Sequence, residues 1–397
     1  MAAPAVAHRT DTAAIVSVAM LIGVAFAGST IITPLYVLFE DSFGFSKMML
    51  TLIYASYVVG NLVALLCFGR LSDQIGRRAA AMPALAILAL SSLTFMAANG
   101  VIELFIGRIL AGFGVGIATS TGTAWLTELI GGKDKARATS LATGSNFLGI
   151  ALAPLAAGLL ADFAPWPLDL PFAAYLAVVA VTAVLVIRTR ETVATPKRLT
   201  EVSLWPRIGI PRDIRTAFVA PGLAGAAAMA LIGFYAALAP SLLAESLHMT
   251  SHALAGGVVC ELGLMVAGAI LLTRNVSGRR AMAWALWLML PSVALIVVSQ
   301  AYGSLIGMLA ATAFCGAASG LGYRGSLQVV NEIAPAAQRA EVLSAYFICC
   351  FTGNSVPVIG VGIITMQAGA LAASASFAVL IVLFALAALA LSRKKRD

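Results

Sequence analysis

Long apolar runs without charged residues are the feature that most constrains this chain. An α-helix rises about 1.5 Å per residue, so about 20 apolar residues cross the hydrocarbon core of a bilayer. Runs of that length lie at 12–39, 48–69, 79–102, 109–127, 138–161, 170–187, 216–244 and 246–273. Two longer runs, 281–323 and 342–392, are predicted to divide at 300–304 and near 367–369. The sequence therefore predicts an all-α membrane protein with twelve transmembrane helices, here numbered as spans 1–12.

The composition supports this class and disfavours others. Hydrophobic residues make up 61% of the chain and charged residues only 11%, whereas soluble domains carry about 25% charged residues. The net charge of +8 is spread over short loops and the C-terminal tail, which indicates membrane topology rather than nucleic-acid binding. The five cysteines lie inside apolar runs without metal-ligand spacing, so neither a metal nor a cofactor is expected.

Lysine and arginine also predict the orientation, because basic residues favour cytoplasmic loops. With the N-terminus inside, Lys47 alone lies outside, and Arg108 and Arg324 fall within spans. The other 25 − 3 = 22 basic residues are then cytoplasmic. We expect both termini in the cytoplasm of a bacterial inner membrane, with the first apolar stretch retained as span 1.

A basic, proline-containing linker at 188–215 divides the chain into two six-helix halves, 1–187 and 216–397. The halves share a sequence repeat. Gly76-Arg77-Arg78 recurs as Gly278-Arg279-Arg280, an offset of 278 − 76 = 202, and Arg137 and Arg339 hold the same offset. Duplicated units of this kind are typical of secondary transporters, which hold their solute at the interface between the repeats.

The segment after span 2 reads Gly69-Arg70-Leu71-Ser72-Asp73-Gln74-Ile75-Gly76-Arg77-Arg78. It resembles the signature between helices 2 and 3 of the major facilitator superfamily, and the resemblance implies two pseudo-symmetric six-helix halves that work as a monomer. It also implies a latch between the halves, with Asp73 directed towards the start of span 11 and Arg77 towards Glu128. The alternative is that these arginines only orient the loop. In the second half, Asn275 replaces the aspartate.

Two further segments extend the resemblance. Span 4 has an intramembrane arginine followed by spaced glycines, in the order Arg108, Gly112, Gly114 and Gly116. Span 5 contains Gly149, Pro154 and Gly158 at the spacing of the drug–proton antiporter branch, with Ser or Ala at three of its glycines. Small residues let helices approach closely and proline bends a helix, so we expect a packing role here. The resemblance to this branch implies that the protein exports its substrate.

Glu261 is the candidate for proton coupling. It follows fifteen uncharged residues and precedes twelve more near the middle of span 8. A charge at that depth is costly and usually functional, and an unpaired carboxyl there is expected to bind a proton readily. The hypothesis is that Glu261 exchanges a proton or contacts a cationic part of the substrate. A neutral, hydrogen-bonded glutamate used for packing is the alternative.

Five other residues are candidates for proton coupling or substrate binding, each with a structural alternative. Arg108 is expected to face the bundle interior, where the resemblance implies a part in proton coupling; a structural arginine bonded to backbone carbonyls is the alternative. Arg324 near the cytoplasmic end of span 10 could meet an anionic group, or extend to the interface. Tyr36 and Tyr235 are candidate cavity residues by the resemblance, and tyrosines near helix ends are otherwise interface anchors. Asn146 is favoured as an interhelical hydrogen-bond partner over a ligand contact.

Neither a phosphate-binding P-loop nor a nucleophile–base set is present in the sequence, so an enzyme is not expected. The favoured function is proton-coupled export of small amphipathic organic molecules by alternating access. An uptake symporter or facilitator for a small metabolite is the alternative. A membrane receptor or scaffold without transport is the third and least favoured hypothesis.

Overall fold

The structure is a computed structural model that describes residues 4–130, 135–194 and 208–393. Within these ranges, twelve helices are long and apolar enough to cross a bilayer, so the predicted all-α fold of twelve spans is confirmed. Span 1 is a broken helix in which a 3-10 turn, Thr33–Leu35, separates α1 from α2. The helices are α1 (Pro4–Thr30), α2 (Tyr36–Phe43), α3 (Lys47–Phe68), α4 (Leu71–Ile75), α5 (Arg77–Met96), α6 (Val101–Leu129), α7 (Lys135–Phe163), α8 (Leu170–Arg188), α9 (Arg215–Ser246), α10 (His252–Leu272), α11 (Gly278–Ala301), α12 (Leu305–Ile333), α13 (Arg339–Ala368) and α14 (Ala370–Arg393).

The predicted helix boundaries hold where turn residues interrupt the apolar runs. The two long runs break at Gly303 and Gly369, whose φ angles are +60° and +86°, a conformation that glycine adopts without steric cost. Span 3 ends earlier than predicted, at Met96 rather than at 102. The following helix α6 begins at Val101, with Glu103 in its first turn, so Arg108 lies two turns inside the helix.

The packing repeats between the halves. In the first half, α6 packs on α1, α3 and α5. In the second half, α12 packs on α9, α10 and α11, the helices at the equivalent places. Between the halves, α7 contacts α10 and α3 contacts α13. These two contacts are related by the same six-span offset, so the interface between the halves is pseudo-symmetric.

The proposed division at 188–215 remains a prediction. Helix α8 ends at Arg188 and α9 begins at Arg215, but residues 195–207, including Pro196 and Pro206, lie outside the described residues, as do Lys394–Asp397 of the tail. In the described part of the linker, the Gly209 N–H donates to the Glu341 carbonyl at 3.5 Å.

Glycines set the distance between α3 and α6. An added Cβ at Gly112 of α6 would lie 2.0 Å from the Tyr57 carbonyl oxygen of α3. One at Gly60 of α3 would lie 2.1 Å from the Ile109 carbonyl oxygen. Both obstacles are backbone atoms, which cannot rotate away as a side chain can. The glycines after Arg108 therefore bring the two helix backbones into direct contact.

We expect Gly112→Ala to lower the stability of the protein. Alanine favours a helix over glycine by about 1 kcal/mol, but overpacking against backbone costs about 1–3 kcal/mol or more. The midpoint of thermal unfolding of purified protein in detergent should fall by several degrees. The matched control is Gly144→Ala in α7, where an added Cβ meets nothing within 4 Å and the midpoint should stay constant or rise. An unchanged midpoint for Gly112→Ala would contradict the close contact.

Candidate functional site

A central cavity of about 120 Å³ lies between the two halves. The first half contributes residues from α1, α3, α6 and α7, and the second contributes residues from α9, α10, α12 and α13. Most of the lining is aromatic or aliphatic, and a few polar side chains interrupt it. The polar and charged members are Ser29, Thr30, Tyr54, Tyr57, Arg108, Asn146, Tyr323 and Asn354.

Arg108 is the one charged residue among the described residues that line the cavity. Its side chain is almost completely buried, with 1% exposed. It donates hydrogen bonds to the Ser29 carbonyl at 2.6 Å and to the Tyr54 carbonyl at 3.3 Å. Its guanidinium carbon lies 4.8 Å and 5.3 Å from the ring centroids of Tyr57 and Tyr54, which are cation–π distances. The Nε donor is buried without a hydrogen-bond partner.

A hydrogen-bond network crosses the cavity from one half to the other. The Tyr54 hydroxyl of α3 donates to Asn354 Oδ1 of α13 at 3.0 Å, and Asn354 Nδ2 donates to the Met229 carbonyl of α9 at 3.1 Å. Because Tyr54 also contacts Arg108, the network connects the guanidinium in the first half to two helices of the second half.

One end of the cavity is closed by ion pairs, and we call it the Lys47 end. Lys47 at the start of α3 lies 2.7 Å from Glu40 of α2 and 3.0 Å from Glu245 of α9. Its Nζ also donates to the Ser241 hydroxyl of α9 at 3.3 Å. Lys47 therefore joins the first half to the second. The sequence marked Lys47 as the single basic residue on its side. Of its two acidic partners, Glu40 is a near neighbour in the sequence and Glu245 belongs to the other half of the chain.

Asp162 joins the halves at the same end. This residue of α7 accepts hydrogen bonds from the Ser251 hydroxyl at 2.7 Å and from the backbone N–H groups of His252 and Ala253 at 3.0 and 2.8 Å. The carboxylate also lies 2.7 Å from Nδ1 of His252. An acceptor at the N-terminus of α10 satisfies unpaired N–H groups and meets the positive end of the helix dipole.

The three residues singled out in span 5 lie at close helix contacts. An added Cβ at Gly149 would lie 2.1 Å from the Gly23 carbonyl oxygen of α1, and one at Gly158 would lie 2.2 Å from the His252 carbonyl oxygen of α10. In the same way, an added Cβ at Gly256 of α10 would lie 2.2 Å from the Pro154 carbonyl oxygen of α7. Pro154 and Gly158 therefore form part of the interface between the halves, whereas Gly149 lies at a contact within the first half.

The opposite end, which we call the Arg77 end, contains a cleft of about 260 Å³ between the halves. Residues of α3 and α6, together with Gly69 and Arg70, line one wall, and residues of α13 line the other. Phe347 borders both this cleft and the central cavity. The halves are thus joined at the Lys47 end and separated at the Arg77 end.

Arg77 organises the loop at this end. Its guanidinium donates to Glu128 of α6, through Nε at 3.1 Å, and to the Ser72 hydroxyl at 2.7 Å. It also pairs with Asp73. The contact with Glu128 is the one named from the sequence. Within the described residues, the Asp73 carboxylate bonds Arg77 of its own loop rather than α13, because the cleft separates the loop from the second half. The latch role of these residues remains a proposal.

Glu191, which the sequence analysis missed, holds the start of α5. Its carboxylate accepts hydrogen bonds from the backbone N–H groups of Arg77 and Arg78, each at 2.9 Å. Gly76, with a φ of +107°, lets the loop approach Glu191 closely, since an added Cβ would lie 2.9 Å from its Oε2. The Arg78 guanidinium reaches the Thr189 carbonyl beside it. Burial alone would raise the pKa of the Glu191 carboxyl, but N–H donors, including those of Arg77 and Arg78, hold this pKa below its usual range.

Glu261 lies apart from the described cavity lining. Its neighbours Val259 and Leu262 line the cavity, whereas Glu261 shares its helical face with Gly257 and Leu264. Leu264 is 48% exposed, and an added Cβ at Gly257 would meet nothing within 4 Å. This face points away from the interface between the halves. The carboxylate is half-buried, and its Oε2 is buried without a hydrogen-bond partner.

The other predicted site residues have separate environments. Asn146 lines the cavity, and its Oδ1 is buried without a partner. Tyr36 and Tyr235 are completely buried but are not among the described residues of the cavity wall. Arg324 lies outside the cavity too, because its guanidinium donates to the Arg274 and Val276 carbonyls at 3.0 and 2.6 Å. It therefore holds the loop between α10 and α11.

The Glu191 carboxylate should make stability depend on pH. Its pKa is lower in the folded state than in the unfolded chain, so the stabilisation is present at neutral pH and is lost as the pH falls through the folded-state value. We expect Glu191→Gln to lower the unfolding midpoint in detergent most at pH 7, with the difference from wild type shrinking as the pH falls below the usual pKa range of a glutamate. Asp213→Asn, an exposed carboxylate of the same linker, is the control. A difference that stays constant with pH would refute this role.

Curated relatives resemble parts of the chain. Multidrug resistance protein MdtL of Klebsiella pneumoniae is 27% identical over 155 residues, which are 39% of this chain and 40% of that protein. Multidrug resistance protein 2 of Bacillus subtilis is 26% identical over 42% of this chain and 41% of its own length. The arabinose-proton symporter of Bacillus subtilis is 33% identical over 22% of this chain and 19% of its own. The chain thus matches less than half of the length of each of these relatives.

The fold also matches a solved structure over nearly its whole length. A bacterial homolog of the human lysosomal transporter Spinster, described as inward-facing and unoccupied, superposes with a TM-score of 0.72 at 14% identity. That match covers 99% of this chain and 97% of the other. The family model of the Major Facilitator Superfamily matches residues 18–356. Twelve spans in two packed halves, a cavity between them and this match together show that the chain is an integral membrane transporter of the Major Facilitator Superfamily.

Proposed function

We propose that this protein exports small amphipathic organic molecules by alternating access, driven by protons. The observation that carries the proposal is the central cavity between two halves that are joined at one end and separated at the other. Its wall is mainly aromatic and aliphatic with a few polar groups, which suits amphipathic ligands. The similarity to two multidrug resistance proteins favours export.

The proposed cycle exchanges the contacts at the two ends of the bundle. Opening the Lys47 end requires loss of the Lys47 contacts with α9 and of the Asp162 contacts with α10. Closing the Arg77 end would bring the loop of Gly69, Asp73, Gly76, Arg77 and Arg78 against α13. We propose that this loop then acts as the latch, with Asp73 reaching the start of α13 while Glu128 holds Arg77.

The distribution of basic residues assigns the two ends. The Arg77 end carries Arg70, Arg77 and Arg78, together with the start of α1 at Pro4 and the end of α14 at Arg393, which favours the cytoplasmic side. The conformation described here is then open to the cytoplasm and closed to the outside. We place the protein as a monomer in a bacterial inner membrane, consistent with its bacterial relatives.

Glu261 is the proposed proton carrier. Its buried Oε2 has no hydrogen-bond partner among the described residues, and an unpaired carboxyl at this depth is usually functional. Because Glu261 lies off the described cavity wall, we favour proton exchange over contact with a cationic part of the substrate. Protonation would act through α10, which contributes Val259 and Leu262 to the cavity.

Uptake of a small metabolite is the second candidate function. The local similarity to an arabinose-proton symporter favours it, since the name of that protein describes symport with protons. Direction of accumulation separates the two functions: everted vesicles should accumulate substrate under export, and intact cells under uptake.

We expect substrate-dependent proton movement in liposomes that contain the purified protein and a pH-sensitive dye. A panel of cationic, neutral and anionic amphiphiles would be tested, with Glu261→Gln beside wild type. Glu261→Gln removes the titratable group but keeps the shape, so proton movement should be lost while the protein remains folded. The control is Asp169→Asn, an exposed carboxylate at the start of α8, which should behave as wild type. Proton movement of wild-type size in Glu261→Gln would reject the role of Glu261.

Asp162→Ala should open the Lys47 end more often, because it removes the acceptor of two backbone N–H groups of α10. Cys350 lines the cavity and is 1% exposed, so it reports on access. In a variant that keeps only this cysteine, a membrane-impermeant maleimide added outside should label Asp162→Ala several-fold faster than the parent.

The matched control is Asp169→Ala, which removes an exposed carboxylate at the same end of the bundle and should leave the labelling rate unchanged. Equal rates for Asp162→Ala and the parent would show that Asp162 does not hold the halves together.

A further inference from the structure

We infer that the central cavity binds the anionic group of its substrate, a small organic acid with an apolar body, through the guanidinium of Arg108. This inference names the substrate class of the proposed transporter and rests on that function for its physiological meaning. The binding site itself is a separate claim about the structure.

The first argument is charge balance. Arg108 is 1% exposed and has the only formal charge among the described residues that line the cavity. A buried charge without a counter-charge is strongly disfavoured. At the Lys47 end, Glu40 and Glu245 are engaged with Lys47, and Asp162 with the start of α10. Glu261 lies off the cavity wall. A bound anion would supply the missing counter-charge.

The second argument is unused hydrogen-bonding capacity. A guanidinium has five N–H donors, and two acceptors are recorded for Arg108, the carbonyls of Ser29 and Tyr54. The Nε donor is buried without a partner. These two carbonyls and the rings of Tyr54 and Tyr57 hold the group in place. A planar guanidinium held in place suits the two oxygens of a carboxylate.

The third argument concerns the rest of the ligand. Aromatic side chains from both halves surround the polar group, among them Phe26, Phe147, Phe347 and Phe351. A cavity of about 120 Å³ suits a single small body rather than a long chain. A cation would face Arg108 with no carboxylate among the described lining residues, so the site disfavours the amine-bearing ligands that Glu261 suggested from sequence.

The test is ligand binding to the purified protein in lipid nanodiscs, measured by calorimetry, with no transport needed. The probes are benzoate, its neutral match benzamide and its cationic match benzylamine, followed by 1-naphthoate and 1-naphthamide as a larger pair. We expect at least one carboxylate to bind tenfold or more tightly than its matched amide, and no binding of benzylamine. Equal affinity within both pairs, preference for benzylamine, or no binding of either carboxylate at 10 mM would overturn the inference.

Two variants assign the effect to Arg108. Arg108→Gln should abolish the preference of the site for carboxylate over amide. Because that change also removes bonds to two carbonyls and could unfold the protein, Arg108→Lys is the second variant. It keeps the charge but loses the planar geometry, so carboxylate affinity should fall about tenfold while the preference over amide remains. Arg279→Gln, at the start of α11 and away from the cavity, is the control. A folded Arg108→Gln or Arg108→Lys protein with wild-type carboxylate affinity would refute the assignment.

Flux measurements separate this inference from the proposed function. Arg108-dependent binding of a carboxylate without proton-coupled flux would support the site and contradict proton-driven export. Proton-coupled flux of cationic or neutral amphiphiles, with no carboxylate binding, would support export and overturn the anion site.

Discussion

Close approach of helix backbones is the constraint on which the rest of this structure depends. Lipid tails are as apolar as the side chains that face them, so no hydrophobic force of the kind found in water draws transmembrane helices together. Contact must come from packing and from interhelical hydrogen bonds. At Gly112 against α3, and at Gly158 and Gly256 between α7 and α10, one helix backbone lies directly on another. A tightly packed but largely apolar interface can separate without leaving buried polar groups behind, which suits halves that must move apart.

Whether a charged side chain has a partner depends on its depth in the membrane. Near the ends of the bundle they are paired, as in Lys47 with Glu40 and Glu245, and Arg77 with Glu128. Pairs of this kind tolerate partial burial, because each charge keeps its counter-charge. In the membrane interior, Arg108 and Glu261 have no oppositely charged partner among the described residues. Unpaired charges are costly there and persist where function requires them, so these two residues carry the ligand and proton hypotheses.

The halves are similar in packing but different in how their loops are held. In the first half, acids hold the loop before α5: Glu191 accepts from its backbone, and Glu128 binds Arg77. In the second half, Arg324 donates to the carbonyls of the loop before α11. The replacement of the aspartate by Asn275 agrees with this difference, because the second loop relies on a donor from α12. A duplicated fold can therefore keep its helix contacts while each half acquires its own polar supports.

The sequence by itself determined the twelve spans, the two breaks at Gly303 and Gly369, the repeat and the small residues of α7. The thickness of the bilayer core, the rise of a helix per residue and the geometry of turns each constrain short stretches of sequence. Features that depend on them can therefore be predicted along the chain. The contact of Arg77 with Glu128 was also anticipated, but only through a resemblance. Tertiary structure alone decided which polar groups meet. Glu191 on Arg77, Asp162 on α10 and Tyr54 on Asn354 each join residues more than 80 positions apart. It also placed Arg108 on the cavity wall and Glu261 away from it. The face that a helix turns towards the cavity depends on the neighbouring helices, and a uniformly apolar span does not encode that direction.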